Sequence, residues 1–209
     1  MNVEVYKNDD ETILWKGKPN KSVYIKERIF TPLALFAIVW LVIDIAIMST
    51  IFYTSGAFEG MKGFVFVLPL FFALHLMPVW IYLGRILFCG LSWKNIEYMV
   101  TDKAIYATSG VFTTKCDRKA FQEVSNVSFH QGIIDKVHNV GDVFIATGVA
   151  TTSNGNTKQI GINIIDIDDY LEVYKLITKT GRDVFSDTMY PNDLRPEENH
   201  GYNTKYVNK

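Results

Sequence analysis

Residues 29–53 read IFTPLALFAIVWLVIDIAIMSTIFY, and residues 63–83 read GFVFVLPLFFALHLMPVWIYL. A helix needs about 20 consecutive apolar residues to cross the hydrocarbon of a bilayer. Both stretches meet that length, and only the nine residues Thr54 to Lys62 separate them. The pattern predicts a transmembrane helical hairpin over 29–91, with spans at about 29–53 and 63–84. The first run does not fit a cleaved leader: 28 residues precede it, it is too long for such a core, and a second span follows.

Charge predicts the orientation. Lys16, Lys18, Lys21, Lys26 and Arg28 precede the first span, and Arg85, Lys94 and Lys103 follow the second. The connector holds only Lys62, beside Glu59. Cytoplasmic flanks carry the excess of Lys and Arg. The expectation is a multi-pass protein of the cytoplasmic membrane with both termini in the cytoplasm. A net charge of −1 supplies no bulk attraction for nucleic acid. Two cysteines, Cys89 and Cys116, are too few for a disulfide framework and read as free thiols.

Polar residues inside the spans need partners. Asp44 costs about 3 kcal/mol at a helix centre, while each Leu, Ile, Phe or Val returns roughly 0.3–0.6. Fourteen such residues lie between Ile29 and Tyr53, so the segment still inserts. At about 1.5 Å per residue, Asp44 and His75 lie within about one turn of the same depth. They form a candidate intramembrane polar pair, read as a clasp between helices, as a subunit contact, or as part of a proton or ion path. Pro69 and Pro78 predict kinks in the second span. Trp80 and Trp93 are placed to flank the inner boundary.

From Trp93 the pattern turns to period two. Ile96, Tyr98 and Val100 alternate with Glu97, Met99 and Thr101, which predicts a half-buried strand. Ala104–Thr108 and Val111–Cys116 read as the next two strands, joined by a tight turn at Ser109-Gly110. Val124, Val127 and Phe129 mark a fourth, Gly141–Thr152 a fifth, and Lys158–Ile164 a sixth after an Asn154-Gly155-Asn156 turn. A helix follows, started by Asp166 or Asp168 and favoured by Asp169 and Glu172. Its apolar face is Ile167, Tyr170, Leu171, Tyr174 and Ile177, and Gly181 is its expected stop. Residues 182–209 read as a polar tail with Tyr202 and Tyr206 as apolar handles.

Three stretches carry a resemblance. They are Ile13-Leu14-Trp15-Lys16-Gly17-Lys18-Pro19, then Tyr98-Met99-Val100-Thr101-Asp102 with Ala104-Ile105-Tyr106, and the block from Val124 to His130 with Val140-Gly141-Asp142-Val143 and Ala146-Thr147. In this order and spacing the chain resembles bacterial PH-like membrane proteins of the YdbS-like group. The resemblance implies an α+β protein: a two-helix transmembrane hairpin followed by a PH-like antiparallel β-barrel or sandwich capped by a C-terminal α-helix. The divisions expected are 1–28 as a cytoplasmic segment, 29–91 as the hairpin, 92–181 as the PH-like domain and 182–209 as the tail. A PH barrel has seven strands and six are legible, so the seventh is expected near Lys136 to Asn139. The resemblance transfers no catalytic residues, and it suggests a part in envelope integrity or stress resistance.

No Gly-x-Ser-x-Gly, Walker or His-Glu-x-x-His pattern occurs. For His130 and His138 the nearest ligand candidates are Cys116 and Asp135, at spacings that match no known metal site. The expectation is therefore no catalytic residue, no metal and no cofactor. Lys115, Arg118 and Lys119 are candidate contacts to a lipid surface, as is Arg85 at the end of the second span. Each basic residue near an anionic leaflet contributes about 1 kcal/mol, and Asp117 and Glu123 dilute the cluster. The partners expected are the lipid bilayer and another membrane protein or a second copy of the chain, with no nucleic acid. A non-enzymatic scaffold accounts for these features; the alternative is a small transport component using Asp44 and His75.

Overall fold

The computed structural model describes residues 2–54, 67–153 and 156–189. The expected connector from Ser55, the start of the second span at Gly63, the Asn154-Gly155 turn and the tail beyond Met189 lie outside the described residues. The chain forms two compact units, Met1–Tyr24 with Leu91–Lys209, and Ile25–Gly90.

Among the described residues the first unit is built on seven strands. β1 (Ile13–Gly17), β2 (Glu97–Thr101), β3 (Ala104–Ser109) and β4 (Lys115–Ala120) form one antiparallel sheet in that order. β5 (Val124–His130), β6 (Gly141–Ser153) and β7 (Asn156–Ile167) form the other. Among the described residues no strand pair joins the two sheets, so the expected barrel or sandwich is an open pair of sheets, not a closed barrel. Inward residues of both sheets make the core, with Val100, Ile105, Val143, Ile145, Ile162 and Ile164 buried. α6 (Tyr170–Met189) adds Val173, Ile177 and Val184.

The seventh strand is not near Lys136–Asn139, where α5 (Ile133–His138) stands. It is β1, which precedes the expected hairpin: Gly17 pairs with Tyr98 and Lys16 with Met99. The division of 1–28 from the domain therefore falls, because strand pairing joins segments about 80 residues apart. The indole of Trp15 donates to Asp169 Oδ2 at 2.6 Å, and Asn20 Nδ2 donates to Asp168 Oδ1 at 3.0 Å. Two side chains expected to serve the helix start are thereby tied to the N-terminal segment. Asp166 adopts the left-handed conformation, φ 54°, ahead of that helix.

β2 is buried along its whole length, not on alternate residues. The N-terminal arm covers its second face, where Val3 packs with Met99, Ala104 and Tyr106. α6 does not stop at Gly181. An added Cβ there would meet the Phe121 ring at an ordinary 3.6 Å, and the apolar face runs on to Val184. The third strand is likewise displaced toward Ala120, leaving Val111–Thr114 as its approach.

The second unit holds most of α1 (Lys21–Ile29), then α2 (Pro32–Thr54), α3 (Val67–His75) and α4 (Met77–Lys94) up to Gly90. Among the described residues one helix is long and apolar enough to cross a membrane, Pro32–Ile51, with mean hydropathy 2.4 and 11% of its window buried. The described part of the second expected span is not one helix. It breaks at Leu76, ahead of Pro78, whose missing N–H and ring are incompatible with a continuous ladder.

Candidate functional site

Asp44 and His75 meet. His75 Nδ1 lies 2.8 Å from Asp44 Oδ1, and Asp44 is 3% exposed. Ala34 and Ala37 are buried on the same helix. The imidazole stacks on Phe71 at 5.2 Å and lies 5.1 Å from the Trp40 ring.

The break at Leu76 helps build this clasp. A broken ladder frees backbone carbonyls, and two of them take indole donors. Trp40 Nε1 donates to the His75 carbonyl at 2.9 Å, and Trp80 Nε1 donates to the Ala73 carbonyl at 2.8 Å. Trp80, read from sequence as a boundary marker, thus caps the kink. Trp93 also has a structural task. Its indole donates to the Pro19 carbonyl at 2.8 Å, with Lys18 and Lys21 over its ring.

The basic cluster is not a set of free cations. Lys115 pairs with Asp117 at 2.9 Å, Lys119 with Glu123 at 3.5 Å and Arg118 with Glu11 at 2.9 Å. Arg118 also donates to Tyr106 Oη at 2.9 Å. Arg85 is exposed on α4, in the other unit.

Glu11 is the residue that sequence reasoning missed. It is 5% exposed and accepts from Thr101 at 2.7 Å, Asn8 at 2.8 Å, Arg118 at 2.9 Å and Tyr106 at 3.0 Å. Burial alone would raise its pKa, but hydrogen bonds led by those of Thr101, Arg118 and Tyr106 outweigh that and hold it below the usual carboxylate range. Glu97 behaves alike. Burial is offset by the Lys18 ammonium at 2.8 Å and the Val3 N–H at 2.7 Å, and its pKa also falls. These acids tie the N-terminal arm and the β1 extension to the sheet. No sequence motif marks them, because apart from Asn8 their side-chain and N-terminal partners are about 80 to 107 residues away.

A third cluster lies where β5, α5 and β6 meet. Ligand atoms of His130, Asp135 and Asp142 fall within 4.8 Å of one another. His130 and Asp142 are cross-strand partners. Asp142 Oδ1 accepts from the Asp166 N–H at 2.9 Å, and Asp135 Oδ2 accepts from the Gly132 N–H at 2.7 Å. Burial, with Asp135 adding repulsion, pushes the Asp142 carboxyl above its usual pKa despite the Asp166 N–H. Neither Cys116 nor His138 contributes. Cys116 packs beside Met99 and Tyr106, and His138 Nδ1 lies 2.9 Å from the Ile134 carbonyl.

A groove of about 540 Å³ runs between α6 and β5, lined by Phe121, Val124, Val127, Tyr174, Ile177 and Phe185 among others. In comparisons with known proteins, a family model described as a bacterial PH domain matches residues 29–180. No curated protein and no solved structure matches the chain.

Proposed function

The chain belongs to the bacterial PH domain family, and from that premise we propose a non-enzymatic scaffold anchored in the cytoplasmic membrane by a two-span hairpin. The PH-like unit stands on the inner face and offers its surface to another membrane protein or to a second copy of the chain. The YdbS-like group that the sequence resembles has this layout.

One observation carries the proposal. β1 ends at Gly17 opposite Tyr98 in β2, so the segment between them leaves and re-enters one end of one sheet. α2 has the length and composition of a single crossing. A chain that crosses after β1 must cross back before β2, or the two strands would stand on opposite sides and could not pair. The return falls to the segment containing α3 and α4. Its exposed Leu70, Phe71, Leu74, Ile81 and Leu83 suit lipid. The Lys and Arg excess on both flanks supports a cytoplasmic side for the paired strands.

A scaffold confined to two dimensions raises the effective concentration of its partners, so modest contacts suffice. The Asp44–His75 contact fits a clasp between spans. Its burial also supports a second reading, a transport component in which the pair lines a path within an oligomer. The test of the main reading is topology and extraction. Reporters after Lys209 and within Thr54–Lys62 should report cytoplasm and exterior respectively, and the protein should leave the membrane only with detergent. Release by high salt, or an exported reporter after Lys209, would refute the anchor or its orientation. Transport abolished by Asp44→Asn without loss of assembly would favour the second reading.

A further inference from the structure

We propose that His130, Asp135 and Asp142 form a binding site for one divalent cation of the zinc or manganese class. The proposal is independent of how the chain meets the membrane, since all three residues belong to the PH-like unit.

The argument begins with Asp135. Its carboxylate is 2% exposed, and its Oδ1 has no hydrogen-bond partner among the described residues. Buried polar atoms are almost always met by a donor, an ordered water or an ion, because leaving one bare forfeits its hydration. Capping explains only the other oxygen, which accepts from Gly132 N–H. Oδ1 therefore calls for a partner.

The surroundings select a cation. A second carboxylate, Asp142, and an imidazole, His130, present ligand atoms within 4.8 Å of Asp135. Two acidic groups so close repel each other unless a positive charge joins them. A small cation has ligand distances of about 2.0–2.2 Å, so the three groups must draw together around it, and the exposed His130 has room to turn. One nitrogen and two carboxylate oxygens suit zinc or manganese better than an all-oxygen cation. Three protein ligands leave a coordination position for water or for a partner's side chain.

The set is also held in place. His130 and Asp142 face each other across the β5–β6 ladder. The Asp166 N–H fixes Asp142 at 2.9 Å. Gln131 Nε2 donates to the Val140 carbonyl at 2.6 Å, and Asn139 turns the chain in the left-handed region at φ 58°. These contacts bring the end of α5 back to β6, and outer contacts of this kind fix ligand direction.

The test uses the full chain in detergent, stripped with EDTA and titrated with zinc chloride and manganese chloride by calorimetry. At least one ion should bind with a stoichiometry of one. With that free ion at 100 times its dissociation constant, the melting temperature should rise by about 5–10 °C. His130→Ala and Asp142→Asn should each weaken binding by about tenfold or more, while Cys116→Ser and His138→Ala should leave it unchanged. His130 is exposed, so its replacement keeps the fold, which circular dichroism verifies, and this variant decides the matter should Asp142→Asn fail to fold. No heat and no melting shift with either ion up to millimolar concentration would overturn the site. Binding undiminished in His130→Ala would overturn it too, by placing the ion elsewhere.

Discussion

Replacing Glu11 with alanine tests whether the N-terminal arm is part of the PH-like unit. The carboxylate takes hydrogen bonds from Thr101, Tyr106, Arg118 and Asn8. Hydrogen bonds to a charged group contribute about 1.5–3 kcal/mol each, but they do not add. Arg118 has a side chain 39% exposed and can turn to water, as can the exposed Asn8. Thr101 and Tyr106 are buried, and Thr101 keeps the Ala104 carbonyl as an acceptor. The loss falls mainly on Tyr106 and on the lost docking of the arm, about 2–4 kcal/mol in all. For a chain of this size that lowers the melting temperature by about 5–15 °C. The assay is thermal unfolding of the full chain in detergent, followed by tryptophan fluorescence. A fall under about 3 °C would refute the docking of residues 2–12 on the sheet. The pH dependence has a definite sign. Glu11 and Glu97 have depressed pKa values when folded. Their contribution is complete above the unfolded value near 4.3 and is lost as pH falls through the folded values. Glu11→Gln should therefore flatten the acid limb of the stability curve, while an unchanged limb would assign acid unfolding to other groups.

Further outcomes follow from the strand order and the packing. A fragment beginning at Leu91 lacks β1 and Glu11 and should be unfolded or molten by heteronuclear NMR. Joining Met1–Tyr24 to Leu91–Met189 through a flexible linker of about ten residues should restore dispersed spectra; a well-folded short fragment would contradict the discontinuous unit. In a double-mutant cycle of Asp44→Ala and His75→Ala, melting in detergent should give a coupling of about 0.5–2 kcal/mol, and a value indistinguishable from zero would mean that the two side chains do not interact. Gly181→Ala should be neutral or stabilise by up to about 1 kcal/mol, since helix propensity improves and the Phe121 ring is at contact distance. Gly161→Ala should cost about 2 kcal/mol or more, because its Cβ would stand 2.1 Å from the Ile145 carbonyl oxygen. Chemical denaturation of both glycine variants checks the contrast.

Length and apolarity made the long apolar helix α2 legible, because both are properties of a local stretch of chain. Alternation marked β2, turn residues marked the bounds of β3, and a 3.6-residue period marked α6. The pairing of Asp44 with His75 was legible through helix rise, which is also local. Other features depended on distant partners. β1 is an edge strand with a bulge between Ile13 and Trp15 and no fully buried residue, so it carries no period-two signal. A similar irregularity between Val124 and Asn126 accounts for the uneven alternation of β5. Burial of Glu11 and of both faces of β2 required the N-terminal arm to fold across the sheet. The neutralisation of Arg118 and the meeting of His130 with Asp142 required strand registers that no short stretch encodes. Sequence alone determined which stretches are long and apolar and most of the strands and the last helix, since those preferences are summed over neighbours along the chain. Tertiary structure decided which distant charges meet, because a register shift of one residue turns each side chain to the opposite face.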